Sequence, residues 1–453
     1  MNDGPISRPR GRPGRRIRAR WSAVVTTAVV ATTVVGVIGA WLGPTSALAA
    51  DRARPTTTPV AVWGQPAAAG TGSLEAVSCG DARHCWAVGR SAVDALAATT
   101  STSPSPSVVI DATTDGGSTW TAESVSVSDP TDLAAVDCPD RRHCMAVGTA
   151  DDDGPILGAV LVTADGGKVW QPVASPTGSV DLSAVHCFAL ADCLVLATDG
   201  STYWSASTTD GGKVWQRGGS LPPGFAGISH VACLDATTCV TVGYVSSTPG
   251  QGTGAIAVTD DGGANWISAP VPAGVGVLHG VDCTASSTCV AVGTKSTTTT
   301  DVALAPSQVL VSDDRGASWN LTASPMGVGD AFAVSCPAGG GCATVGTVWT
   351  VTNPPTPIGG VVASGAGGLA WQTMRTRYVP VGLTGVDCPA PTSCVAAGND
   401  VLARIALPLP KKTGRMPGTA GTTSTTTTTT SPVGTSTTST TAGGGPTGAP
   451  ATG

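Results

Sequence analysis

Fourteen cysteines fall into seven pairs with five residues between the members of each. They are Cys79 and Cys85, Cys138 and Cys144, Cys187 and Cys193, Cys233 and Cys239, Cys283 and Cys289, Cys336 and Cys342, and Cys388 and Cys394. In an exported chain, an even count at one fixed spacing reads as a disulfide framework. Each bridge closes a short loop, worth about 2 kcal/mol by the chain-entropy argument. Zinc is the competing reading, because His84, His143 and His186 stand beside a Cys. Zinc sites take four ligands at varied spacing, so no metal and no other cofactor is expected. The pairs recur roughly every 50 residues, which makes the chain a repeat protein.

One unit runs from Leu133 as L-A-A-V-D-C, five residues, C-M-A-V-G, a variable loop, and I-L-G-A-V-L-V-T-A-D-G-G-K-V-W. The first two segments are short, apolar and β-branched, and the spacing predicts a hairpin. The third is a strand ending in Asp-Gly-Gly, a strong turn signal. The Trp opens a fourth strand. Four antiparallel strands per repeat make the blade of a β-propeller. With 60 Gly and 34 Pro, the composition suits many turns and disfavours helical bundles.

The second half of each unit resembles the Asp-box, or BNR, repeat Ser/Thr-x-Asp-x-Gly-x-x-Trp. Full matches carry Asp115 and Trp120, Asp165 and Trp170, Asp210 and Trp215, Asp261 and Trp266, and Asp314 and Trp319. A sixth keeps Ser364, Gly368 and Trp371, but Ala366 replaces the Asp. Carboxylate and hydroxyl tie down turn N–H groups, Gly accepts positive φ, and Trp covers the sheet edge. The repeated Asp are therefore expected to be structural.

Trp63 lies 16 residues before Cys79, a spacing close to that of Trp to Cys elsewhere, yet no blade precedes it. At the other end, the unit starting at Cys388 stops one strand short, at Leu407. The expectation is an all-β, seven-bladed propeller over residues 59–407, its ring closed by the strand at Val60–Trp63. Closure removes free sheet edges.

Residues 1–20 hold seven Arg, Trp21–Leu42 is uncharged, and Ala47-Leu48-Ala49 is a small-x-small site. That order is a secretory signal, with a retained anchor as the other reading, and residues 51–58 read as a linker. Either reading puts the body outside the cell, secreted or attached at the surface. Beyond residue 50 the body carries a formal charge of -12, which argues against nucleic acid. Residues 408–453, mostly Thr, Ser, Gly, Pro and Ala, read as a tail unable to bury a core.

Non-repeated residues carry the candidate ligand contacts: Arg217, Trp349, Arg375, Arg377 and Tyr378, with Asp151-Asp152-Asp153 as a weaker cluster. The reading places them on the face opposite the bridges, where loops vary. Asp-box propellers include sialidases, and that resemblance implies a glycoside hydrolase as the alternative function. Sialidases need an Arg triad, a Tyr nucleophile with a Glu partner, and an Arg-Ile-Pro motif. Here Arg-Ile-Pro is missing and Glu occurs only at Glu75 and Glu123. No catalytic residue is assigned. The chain is also similar to the photosystem II assembly and stability factor propellers. That resemblance implies a non-enzymatic scaffold that binds protein. The expected partner is a protein or a cell-wall or extracellular glycan, bound by a monomer that meets membrane only through an uncleaved N-terminal helix.

Overall fold

The computed structural model describes residues 62–66, 72–91, 108–123, 125, 130–150, 155–245, 252–284, 287–296, 306–322, 329–349, 357–366, 371–374, 376–377, 379 and 382–407. The leader, the linker up to residue 58, the Asp151–Asp153 cluster, Arg375, Tyr378 and the tail lie outside these residues. Among the described residues no helix is long and apolar enough to cross a membrane.

Seven antiparallel sheets follow one another along the chain. Blade 1 comprises Ser73–Cys79, Cys85–Arg90, Val108–Thr113 and Thr121–Ala122. Blade 2 comprises Pro130–Asp137, Cys144–Ala150, Leu157–Thr163 and Gln171–Val173. Blade 3 comprises Asp181–Cys187, Cys193–Thr198, Tyr203–Thr208 and Gln216–Ser220. Blade 4 comprises Phe225–Cys233, Cys239–Val245, Thr253–Thr259 and Ile267–Ala269. Blade 5 comprises Val275–Cys283, Cys289–Lys295, Ser307–Ser312 and Asn320–Thr322. Blade 6 comprises Ala331–Ser335, Gly341–Trp349, Pro357–Ala366 and Trp371–Thr373. Blade 7 comprises Leu383–Ala390, Ser393–Gly398 and Val401–Ala406. Together they form a seven-bladed β-propeller.

The outer neighbour of Val401–Ala406 is Val62–Pro66, paired antiparallel from Val62 opposite Ile405 to Pro66 opposite Val401. Thr376–Arg377 adds a fifth strand, parallel to Val62–Trp63. The repeat predicts four strands per blade and a loop at Arg375–Tyr378, so the Thr376–Arg377 strand is a departure. An outer strand presents unpaired backbone groups, and the neighbouring extended segment satisfies them.

All seven disulfides form and no cysteine is free. Their Cα separations are 3.9 to 4.1 Å, because each bridge closes the turn between the first two strands of its blade. The Ser/Thr-x-Asp-x-Gly turns sit at the same end of the blades, since Cys193 lies opposite Thr208 and Cys239 opposite Thr259. In blade 1 the Thr113 hydroxyl donates to Asp115 Oδ1 (2.9 Å) and accepts from the Gly117 N–H (3.0 Å). The same two bonds recur in blades 2 to 5. Gly117 has φ +84°, a left-handed conformation that disfavours any side chain. In blade 6, Ser364 Oγ instead accepts from the Cys342 N–H (2.9 Å).

In blades 2 to 4 the Trp of these turns bonds to a neighbouring blade rather than merely covering an edge, whereas Trp319 donates to the Gly316 carbonyl of its own turn. Trp170 donates from Nε1 to Glu123 (2.7 Å), Trp215 to the Ala174 carbonyl (2.7 Å), and Trp266 to Ser205 Oγ (3.1 Å). Each acceptor belongs to the preceding blade. Hydrophobic clusters likewise straddle the seams, as where Trp86 and Ile110 of blade 1 pack with Leu133 and Trp170 of blade 2.

Candidate functional site

The first strands of the blades surround the axis, and each touches the next. All seven carry the same irregularity: one extra residue between the fifth and third positions before the first Cys. A β-bulge re-aims the side chain of its extra residue. These residues include Glu75, Ser183, His279 and Phe332, all half-buried. The rings of His279 and Phe332, in adjacent blades, lie 5.1 Å apart.

One residue before the first Cys, carboxylates tie neighbouring blades together. Asp137 accepts from its own Cys138 N–H (2.9 Å) and from Cys187 N–H of blade 3 (2.6 Å). Asp282 does the same with Cys283 (2.7 Å) and Cys336 (2.6 Å). Asp387 receives Cys79 N–H of blade 1 (2.6 Å). Burial pushes the Asp282 carboxyl up to about 7 and that of Asp387 to about 6. Among the described residues no group of three or more His, Cys, Asp or Glu is arranged to hold a metal ion.

Blade 1 departs from its siblings at two interior positions. Asp111 is fully buried in the third strand with both oxygens unpartnered, and burial raises its carboxyl to about 6. Leu161, Ala206, Ala257 and Leu310 occupy that place elsewhere. Glu123 sits in the seam with blade 2, raised to about 7 chiefly by burial.

An open cavity of about 460 Å³ lies between blades 2 and 3, on the face that carries the disulfides. Its floor is apolar, from Met145, Val162 and Val173, and its rim holds His143, Asp165, Asp210 and Lys213. Val169 and Leu190 on its wall are 51% and 54% exposed, and Val214 next to Lys213 is 69% exposed. These are three of the seven large apolar side chains that are exposed among the described residues.

The structure places the sequence candidates in different sheets. Arg217 is on the outer strand of blade 3, opposite Ala206, with its guanidinium 3.7 Å over the Trp204 ring. That position is close to the box turn and not in a loop of the opposite face, because the fourth strand starts directly after Trp215. Trp349 ends the second strand of blade 6, paired with Pro357, and its Nε1 is buried without a partner. The Arg377 backbone pairs with Trp63. The cavity between blades 2 and 3 was missed because its residues sit inside the repeat. The legible signal was Val169 and Val214 where the other boxes have Thr119, Asn265 and Ser318.

No protein-family model matches the sequence, and no curated protein matches it. Solved structures do. A YCF48 bound to a D1 peptide is 17% identical, covering 77% of this chain and 97% of its own, with TM-score 0.50. A streptogramin B lyase is 10% identical, covering 77% and 98%, with TM-score 0.51. YCF48 from Cyanidioschyzon merolae is 14% identical, covering 76% and 98%, with TM-score 0.48. At these identities the likeness to the first two shows the fold alone, and the class it defines is the β-propeller.

Proposed function

We propose that the protein is an exported, non-enzymatic binding propeller that recognises a protein, or an extracellular glycan, at the bacterial cell surface. The observation that carries this reading is the solvent-open, apolar-floored cavity on a disulfide-stapled frame. A cavity of this kind suits recognition. Asp165 and Asp210 beside it each use one oxygen to hold a turn, and Asp137, Asp282 and Asp387 hold blades together. The likeness to a propeller that binds a peptide supports a protein partner. The seven disulfides support an oxidising compartment, and the leader at residues 1–50 supports export. The recurring Thr–Asp–Gly bonds support kinship with Asp-box propellers. The pairing of Val62–Pro66 with blade 7 supports a ring closed by the N-terminal strand, and a single copy is the proposed working unit. Arg217, Trp349, Arg375, Arg377 and Tyr378 remain proposed ligand contacts.

The test uses purified full-length protein in two assays. Retention on isolated cell-surface protein or cell-wall polysaccharide is expected. Turnover of sialosides or other glycosides would overturn the non-enzymatic reading and favour the glycoside hydrolase alternative.

A further inference from the structure

Resting on that reading, we infer that the cavity between blades 2 and 3 binds an extended segment of a partner protein that carries an aliphatic side chain beside a lysine or arginine. Two features of blades 2 and 3 coincide there. In every complete box, the residue four after the Asp donates its backbone N–H to one carboxylate oxygen. In blades 1, 4 and 5 the side chain of that residue also serves the second oxygen. Thr119 donates to Asp115 Oδ2 (2.7 Å), Asn265 to Asp261 Oδ2 (2.7 Å) and Ser318 to Asp314 Oδ2 (2.5 Å). In blades 2 and 3 the residue is Val169 or Val214, which has no donor to offer. The second oxygens of Asp165 and Asp210 are thus left for donors from outside the turn.

In blade 2 the substitution that frees the oxygen also supplies apolar wall, since Val169 lines the cavity, while Val214 follows the rim residue Lys213. Val169 and Val214 are more than half exposed, and Leu190 joins them from the bridged turn of blade 3. Backbone donation from Val169 and Val214 is the leading cause that holds the Asp165 and Asp210 carboxyls below the ordinary carboxylate value. Lys168 and Lys213 add attraction from the turns themselves, yet neither closes an ion pair among the described residues. His143 on the rim is already held by Asp140 (3.0 Å). An aliphatic side chain on the floor and a cationic one near the two carboxylates complement this site in polarity and charge. Pockets that take ligands are typically about 300–1,000 Å³, and this cavity falls within that range. Extended peptides bind in this manner, with pockets for alternate side chains supplying specificity.

The experiment pans a library of random twelve-residue peptides against the full chain, wild type and the double variant V169T/V214T. Thr at both positions repeats the Thr119 arrangement of blade 1, so the fold is retained and the two oxygens gain internal donors. Unfolding midpoints check the fold. The expected result is enrichment of sequences with an aliphatic residue next to Lys or Arg, bound at least tenfold more weakly by the variant in fluorescence anisotropy. Enriched peptides that bind both proteins equally would refute the cavity as the site while leaving the protein-binding reading intact. Enrichment of acidic sequences, or of none, would refute the stated ligand chemistry. Loss of polysaccharide binding, or of self-association, in V169T/V214T would assign the cavity to a glycan or a second copy and overturn the peptide assignment.

Discussion

Replacing Asp111 by Ala should stabilise the protein, and the gain should grow with pH. Asp111 is 0% exposed with neither oxygen bonded, and its carboxyl sits at about 6 against an ordinary 3.8. A raised carboxyl favours the protonated form in the fold. Below pH 3.8 both folded and unfolded chains are protonated and titration has no effect. As pH rises toward 6, the unfolded chain ionises while the folded one does not, and stability falls. Above pH 6 the loss is complete, at about 3 kcal/mol. Ala206 and Ala257 show that the position accepts Ala in sibling blades. Guanidinium unfolding with disulfides intact, followed by Trp fluorescence, should show D111A gaining about 2 kcal/mol more over wild type at pH 8 than at pH 4.5. The difference between the two pH values isolates the ionisation from any change in packing. A gain equal at both would refute a protonated Asp111 in the fold.

Other outcomes follow from the seams and turns. Trp fluorescence of the native protein should titrate with a midpoint near 7 through Glu123 and its bond to Trp170 Nε1, and E123Q should abolish that transition. At Gly167 an added Cβ would overlap the Glu123 oxygens and Trp86 Nε1, at a φ of +85°, whereas at Gly211 it meets nothing. In chemical denaturation, G167A should therefore lose about 3 kcal/mol and G211A about 1 kcal/mol. D137A orphans the Cys187 N–H, leaves the Cys138 N–H with Ser78 Oγ alone, and should lose about 2 kcal/mol in the same assay. Thiol titration of denatured, unreduced protein should find no free cysteine.

The blade was readable from sequence because its determinants are local. A Cys pair six positions apart and a Thr–Asp–Gly turn each specify a few consecutive residues, and repetition supplied the count. The seams were not readable. Nothing in the sequence says that Asp137 serves a Cys 50 residues later, or that Trp170 donates to a Glu 47 residues earlier. Such bonds depend on which blade faces which. The first-strand bulge was hidden for a related reason: an inserted residue is visible only against the register of its partner strand. The cavity was not legible because its lining lies within the repeated turns and strands and not in the variable loops. The informative difference is Val in place of Thr, Asn or Ser at one position of a turn that otherwise repeats.

The bulge around the axis separates two kinds of inheritance in this chain. Its extra residue has no opposite number in the ladder, so exchanging it disturbs no cross-strand pair. The frame can stay constant while the ring is rewritten one blade at a time, from Glu75 in blade 1 to Ser183 in blade 3 and His279 in blade 5. A lineage of such propellers can thus diversify the residues around its axis through single substitutions, with no blade having to be rebuilt.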